Sequence, residues 1–190
     1  KNLTGEEFVA ITEDAGPRAA REIIFWQPPL ISEKGDGRRR SSNSEGAYLA
    51  AHFARVGLKS IFFCNSRKSA ELLRRYATNN LEDSEKHLIQ SYRAGYTAQD
   101  RRTIEDGFKS GEIRVLTATS ALELGVDIGG VDAVVMVGYP GSMTAFWQRA
   151  GRAGRGQTKA LALMIAGDDP LDEYYLNHPD LITEGKVEKA

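Results

Sequence analysis

The chain has 190 residues, 41% of them hydrophobic, which suits one well-buried core better than two small ones. Its 25 basic and 26 acidic side chains leave a net charge of −1, excluding the overall basic field of a non-specific nucleic-acid binder. The single cysteine, Cys64, excludes a disulfide within the chain; His52, His87 and His178 have no Cys or His partners at ligand spacing, and no apolar run approaches a membrane span. A reduced, cytoplasmic protein without a metal site or a membrane partner is expected. The chain opens on Lys1 rather than Met, as expected of a piece of something larger.

In chain order, residues 8–12 read as a first strand that turns through Asp14, Ala15, Gly16 and Pro17. Strands are then predicted at 22–27, 60–65, 88–92, 114–119, 133–138 and 160–166, several apolar almost throughout, as in parallel strands buried on both faces. Residues 33–44 are charged and rich in Gly and Ser, predicting a mobile loop. Arg38, Arg39 and Arg40 within it read as a solvated loop ahead of a DNA clamp. A helix preceded by Ser44 and closed by Gly57 carries Leu49, His52, Phe53 and Val56 on one face. Ser66 can cap a second helix bearing Ala70, Leu73 and Ala77. Thr97 with Asp100 approximates a capping box, after which Ile104 and Phe108 face inward, Glu105 and Lys109 pair outside, and Gly111 ends the helix. Asp169 and Pro170 open a last helix that His178 and Pro179 stop, and residues 184–190 read as frayed. Strand–helix alternation of this kind predicts an open, mostly parallel sheet covered on both sides.

Two stretches carry chemistry. Strand 114–119 ends in Thr117 and Thr119 and runs on into Ser120, whose hydroxyls and amides can hold a phosphate, and Asp127 lies just past Gly125, where a carboxylate could accept from a ribose hydroxyl. Capping of the next turns would explain the same residues equally well. Gln148-Arg149-Ala150-Gly151-Arg152-Ala153-Gly154-Arg155 places an arginine at every third position with glycines between. The guanidinium fork matches phosphate oxygens, and glycine lets backbone approach closely. Gly151 to Thr158 has P-loop spacing, but Gln157 takes the lysine position and a strand follows where a P-loop opens a helix, so the match is rejected. Phe146 and Trp147 are expected to pack beneath this motif rather than to stack on bases.

Residues 60–73, 92–111, 115–128 and 148–155 together resemble motifs IV, IVa, V and VI of superfamily-two helicases, in order and at their usual separations. Gly138-Tyr139-Pro140-Gly141-Ser142, Phe146-Trp147-Gln148, the run from Ala166 through Asp168, Asp169, Pro170 and Leu171 to Asp172, and Asn177-His178-Pro179 resemble the mitomycin-repair-factor type of DNA repair helicase. That type typically moves 3′ to 5′ and has a zinc-binding region beyond this domain. The resemblance implies a RecA-like three-layer α/β/α domain, a P-loop NTPase fold without its own Walker A motif. Residues 1–190 would form one helicase C-terminal domain, the second of two RecA-like domains, with 1–21 a lead-in and 168–190 a helical extension.

The resemblance further implies ATP with Mg²⁺ as cofactor, held mainly by the first RecA-like domain, with single-stranded DNA and that first domain as partners. Arg152 and Arg155 match the arginine fingers that reach the γ-phosphate, and are expected to project from one exposed rim. Gln148, Asp127 and Gly125 match nucleotide-side positions, with Asp127 as the ribose-side acid. Arg149 matches a residue that braces the motif. Thr119, Ser66, Arg67, Gln99 and Arg102 match positions that contact the nucleic-acid backbone or brace such contacts. The implied function is the second motor domain of an ATP-dependent DNA helicase or translocase in DNA repair, inactive as an isolated piece and located with the nucleoid, or in a nucleus. Nine residues between Gly138 and Gln148 leave no room for the long strand-splitting hairpin that some related helicases insert there. A DEAD-box-like RNA helicase domain is one alternative, although Gln148 stands where that group has histidine. A non-catalytic RecA-like adaptor that binds nucleic acid is another.

Overall fold

Among the described residues, six parallel strands build the central sheet: β1 (Arg21–Trp26), β2 (Ser60–Cys64), β3 (Ile89–Tyr92), β4 (Val115–Ala118), β5 (Ala133–Val137) and β6 (Ala160–Ile165), ordered β1-β6-β5-β2-β4-β3. Five of them lie within the segments predicted from apolar runs, each trimmed by a residue at one or both ends, and β1 overlaps its predicted segment 22–27 shifted by one residue. The computed structural model describes residues 21–31, 37–123, 126–154 and 160–184. The expected strand at 8–12 and most of the frayed tail lie outside those residues.

Side chains alternate across the sheet, so each strand feeds two cores. Ile61, Phe63, Val134 and Met136 join one cluster, and Phe62, Cys64, Val135 and Val137 join the other. The second cluster is closed by α1 (Ser42–Arg55) and α2 (Arg67–Asn79). The first is closed by α3 (Ala98–Ser110), α4 (Met143–Ala150) and the short α6 (Asp180–Thr183), through Phe108, Met143, Phe146 and Ile182. The result is the RecA-like α/β/α sandwich that the sequence implied. Full burial of an aromatic or branched side chain stabilises such a core by about 1.5–3 kcal/mol. Cys64 is one of these core residues, and burial pushes its thiol up to about 12, against smaller opposing effects of Ser69 and Arg149.

The helix starts follow local chemistry. Ser66 accepts from Ser69 N (3.0 Å), and Thr97 accepts from Asp100 N (3.1 Å) while donating to the Asp100 carboxylate (2.7 Å). Gly111 closes α3 with φ 87°, and Asp169 caps α5 (Pro170–Asn177), which begins on Pro170.

Three expectations are corrected. The cap of α1 is Ser41, not Ser44, so the helix takes up residues 42–44 of the expected mobile loop; residues 32–36 lie outside the described residues. The same helix buries Ala47, Ala50, Ala51 and Ala54, while Val56 is 60% exposed and Leu49 and Phe53 only flank the core. The reason is close approach: a Cβ on Gly46 would sit 3.0 Å from Leu73 and 3.2 Å from Val137, a gap that admits only small side chains. Glu105 accepts from the Tyr92 hydroxyl (2.7 Å) and Lys109 lies 3.7 Å from Asp127, so both turn to tertiary partners in place of the expected helical pair.

Candidate functional site

In a parallel sheet every strand ends on the same side, and the loops leaving those ends form the ligand-facing rim. The strand order reverses around β2, whose neighbours β4 and β5 lead away in opposite directions. Phe63 of β2 pairs with Ala118 of β4, and Tyr92 of β3 pairs with the same residue. The segments carrying Ser66 and Arg67, Thr119, and the approach to α3 therefore leave the sheet side by side. Ser66 and Arg67 are exposed at the start of α2, Gln99 and Arg102 are exposed on the first turns of α3, and Thr119 is half-buried.

The groove between those starts, about 230 Å³, is lined by Arg67, Arg93, Gly95 and Tyr96. The Arg93 guanidinium lies over the Tyr96 ring (4.8 Å to the centroid) and its Nε is 3.2 Å from Glu71 Oε1. Hydrogen bonding to the Tyr96 hydroxyl, aided by Glu71, raises its pKa further. Arg93 and Tyr96 were not singled out from the sequence, although both stand in the Arg93-Ala94-Gly95-Tyr96 turn at the start of the segment that resembles motif IVa.

The Arg/Gly motif begins at the end of α4, whose cap Ser142 accepts from Ala145 N (3.1 Å). Phe146 is buried and stacks on Phe25 (6.1 Å), and Trp147 meets it edge-on (5.6 Å), so the pair packs beneath the motif as expected. Gln148 is exposed. Arg149 is buried: Nε donates to Glu123 Oε1 (2.8 Å), Nη1 to Asn65 Oδ1 (3.3 Å), and the guanidinium lies over Phe63 (5.4 Å). That is a bracing role. Strand β6 follows the motif, as the rejection of a P-loop required.

Arg152 does not project. It is 6% exposed, and it donates to the carbonyl oxygens of Val126 (2.9 Å) and Glu123. The rim geometry expected of it is therefore absent in this structure, and its holders include backbone oxygens of the loop that follows β4. Arg155 and Gly125 lie outside the described residues. Asp127 is exposed on the same loop; its Oδ1 accepts from Gly129 N (3.2 Å) and its Oδ2 faces Lys109. Arg38, Arg39 and Arg40 border a separate groove of about 280 Å³. Arg39 donates to Pro28 O (2.9 Å) and Arg40 pairs with the buried Glu45 (2.9 Å), so both serve the fold as well as the surface.

A polar network joins these loops. Asn65 Nδ2 donates to Tyr139 O (2.9 Å), and Tyr139 N donates to the carboxylate of Asp172 (2.6 Å). The other oxygen of Asp172 accepts from Gly167 N (2.6 Å). Asn65, Glu123 and Asp172 were missed as functional candidates, although all three stood inside quoted motifs. Among the described residues, no group of three His, Cys, Asp or Glu side chains could hold a metal, and no helix is long and apolar enough to cross a membrane.

The helicase conserved C-terminal domain matches residues 47–157. The chain is 40% identical over 177 residues to the ATP-dependent helicase hrq1 of Schizosaccharomyces pombe, covering 90% of this chain and 17% of that protein. It is 35% identical over 191 residues to the ATP-dependent helicase YprA of Bacillus subtilis, covering all of this chain and 25% of the relative. Among solved structures, it superposes on the DUF1998 helicase MrfA bound to DNA and AMPPNP with a TM-score of 0.85 and 36% identity, over 94% of this chain and 25% of that one. The chain thus spans about a quarter or less of each of these proteins.

Proposed function

Since the chain belongs to the helicase conserved C-terminal domain family and is a superfamily-two RecA-like motor domain closely resembling MrfA, we propose that it is the second RecA-like domain of an ATP-dependent DNA helicase or translocase that acts in DNA repair. Its substrate track is single-stranded DNA, met by Ser66, Arg67, Thr119, Gln99 and Arg102. Its contribution to ATP hydrolysis is Arg152 and Arg155, with Gln148, Gly125 and Asp127 on the nucleotide side. MrfA has been captured with DNA and AMPPNP, and Lhr of Mycobacterium smegmatis with single-stranded DNA and AMP-PNP; both likenesses support a nucleic-acid-driven ATPase.

One observation carries the reading. The loop after β4 holds the candidate strand contact Thr119 at one end and Asp127 at the other, and between them Glu123 and Val126 are gripped by Arg149 and Arg152 of the Arg/Gly motif. Strand-side and nucleotide-side candidates are thereby parts of one braced body. The exposed carboxylate of Asp127 suits a ribose hydroxyl, and the guanidinium groups suit phosphate oxygens. ATP bound with Mg²⁺ supplies the transferable phosphoryl group; the cationic residues here stabilise charge that builds on it. Arg152 must exchange carbonyl partners for phosphate oxygens as the two domains close, which couples hydrolysis to movement along the strand.

The test is steady-state ATP hydrolysis by the full-length protein with single-stranded DNA. Arg152→Ala should lower kcat by roughly 10³-fold or more, the range for arginine fingers in related phosphate chemistry, while DNA affinity stays within about twofold. The 190-residue piece alone should show no DNA-stimulated hydrolysis. An unchanged turnover in Arg152→Ala would favour an adaptor, and RNA displacing DNA in competition would favour an RNA helicase.

A further inference from the structure

We propose that Asp172, a residue outside the four helicase motifs, is a positioning residue for the Arg/Gly motif. This rests on the functional reading above and extends it to the segment after β6. The last ladder bond between β5 and β6 runs from Gly138 N to Ile165 O (2.9 Å). Beyond it the strands part, β5 towards α4 and β6 towards α5. Past that bond, Ala166 N still donates to Trp26 O of β1 (3.0 Å), whereas Tyr139 N and Gly167 N each donate to one oxygen of Asp172 at 2.6 Å. Asp172 comes from the first turn of α5 and is 4% exposed, so its carboxylate is an internal clasp on the diverging strands.

The surrounding residues make room for that clasp. Gly138 has φ 87°, and a Cβ there would lie 3.3 Å from Asp172 Oδ2 and 3.1 Å from Asn65 Nδ2. A Cβ on Gly167 would lie 3.0 Å from the same carboxylate oxygen. Tyr139 is held three ways: its N–H by Asp172, its carbonyl by Asn65 Nδ2 (2.9 Å), and its ring by Tyr175 of α5 (4.3 Å between centroids). Asn65 in turn accepts from Arg149 (3.3 Å), and Glu123 joins Arg149 to Arg152 through its side chain and its carbonyl.

The consequence is leverage on α4. Tyr139 lies three residues before Ser142, the cap of α4, and Arg149 stands near that helix's far end. A helix of eight residues is roughly 12 Å long, so a tilt of about 5° at its start displaces its end by about 1 Å. A misplacement of about 1 Å at a catalytic group can cost on the order of 100-fold in rate. The Asp172 clasp therefore acts on turnover through helix placement and touches neither ATP nor DNA.

The experiment measures DNA-stimulated ATP hydrolysis by the full-length protein for the wild type, Asp172→Asn, Gly167→Ala, Arg152→Ala and a control, Asp169→Ala. Asp172→Asn keeps the shape but replaces one acceptor with a donor that faces an N–H. Asp169→Ala removes the α5 cap and leaves the strand ends untouched. The expected result is a fall in kcat of tenfold or more for Asp172→Asn, with KM for ATP and the DNA Kd within twofold of wild type. Asp169→Ala should keep its kcat despite a lowered Tm. Gly167→Ala, which crowds the carboxylate without removing it, should lose several-fold in kcat, and it decides the matter if Asp172→Asn does not fold. An unchanged kcat per folded molecule in Asp172→Asn, or a change confined to KM, overturns the inference. If Arg152→Ala is inactive while Asp172→Asn is normal, the inference alone fails. A wild type without DNA-stimulated hydrolysis would remove the functional reading and this inference with it.

Discussion

Replacing Glu123 by Gln isolates the charge that holds Arg149. The two side chains meet at 2.8 Å with 7% and 13% of their surfaces exposed, so neither partner is rescued by bulk water. At an effective dielectric of about 20, unit charges about 4 Å apart attract by about 4 kcal/mol. Removing one partner of a buried pair costs about 3–5 kcal/mol, because the other charge stays desolvated. Glutamine retains an oxygen that can accept from Nε, which returns about 1 kcal/mol. The expected net loss is about 2–4 kcal/mol, or about 5–15 °C in Tm for a domain of this size. Urea and thermal unfolding followed by circular dichroism measure it, with Arg149→Met and the double variant completing a cycle. The double variant should be at least about 1.5 kcal/mol more stable than the summed single losses, since it leaves no lone buried charge. A single-variant loss below about 1 kcal/mol, or strict additivity, would refute the assignment of this pair as the brace of the motif.

Four further outcomes are expected. Gly138→Ala should cost about 1–3 kcal/mol in urea unfolding, combining a left-handed backbone penalty with crowding of Asn65 and Asp172, whereas Gly57→Ala, at φ 76° with open space around it, should cost only about 1 kcal/mol; equal losses would show that close approach at 138 is irrelevant. Cys64 should react with a thiol reagent at pH 8 only as fast as the chain unfolds, because burial raises its pKa from 9.0 to about 12. A raised native pKa means stability fully present below pH 9 and lost as pH climbs to 12; Tyr92, raised from 10.0 to about 12 by burial and Glu105, acts in the same direction, so stability should decline on the alkaline side, and a flat profile from pH 9 to 12 would contradict both. Thr97→Ala, which removes the α3 cap, should cost about 1 kcal/mol by the same unfolding measurement; no loss would mean that the cap is redundant.

From the sequence alone came the six described strands to within a residue, the caps of α2, α3 and α5, and the family. Buried parallel strands must be continuous apolar runs, and caps such as Ser66, Thr97 and Asp169 are bonds between residues a few positions apart, so both kinds of signal are local. What only the packed molecule decided were partners far apart in the chain: Arg149 with Asn65 across 84 positions, Asn65 with Tyr139 across 74, and Tyr139 with Asp172 across 33. The alanine face of α1 belongs here too, because an amphipathic pattern ranks side chains by hydrophobicity while the gap beside Leu73 and Val137 selects by size. Arg152 turned inward for a similar reason. Its charge and spacing are legible as a phosphate ligand, but which oxygens hold a guanidinium is settled by the loop that folding brings against it.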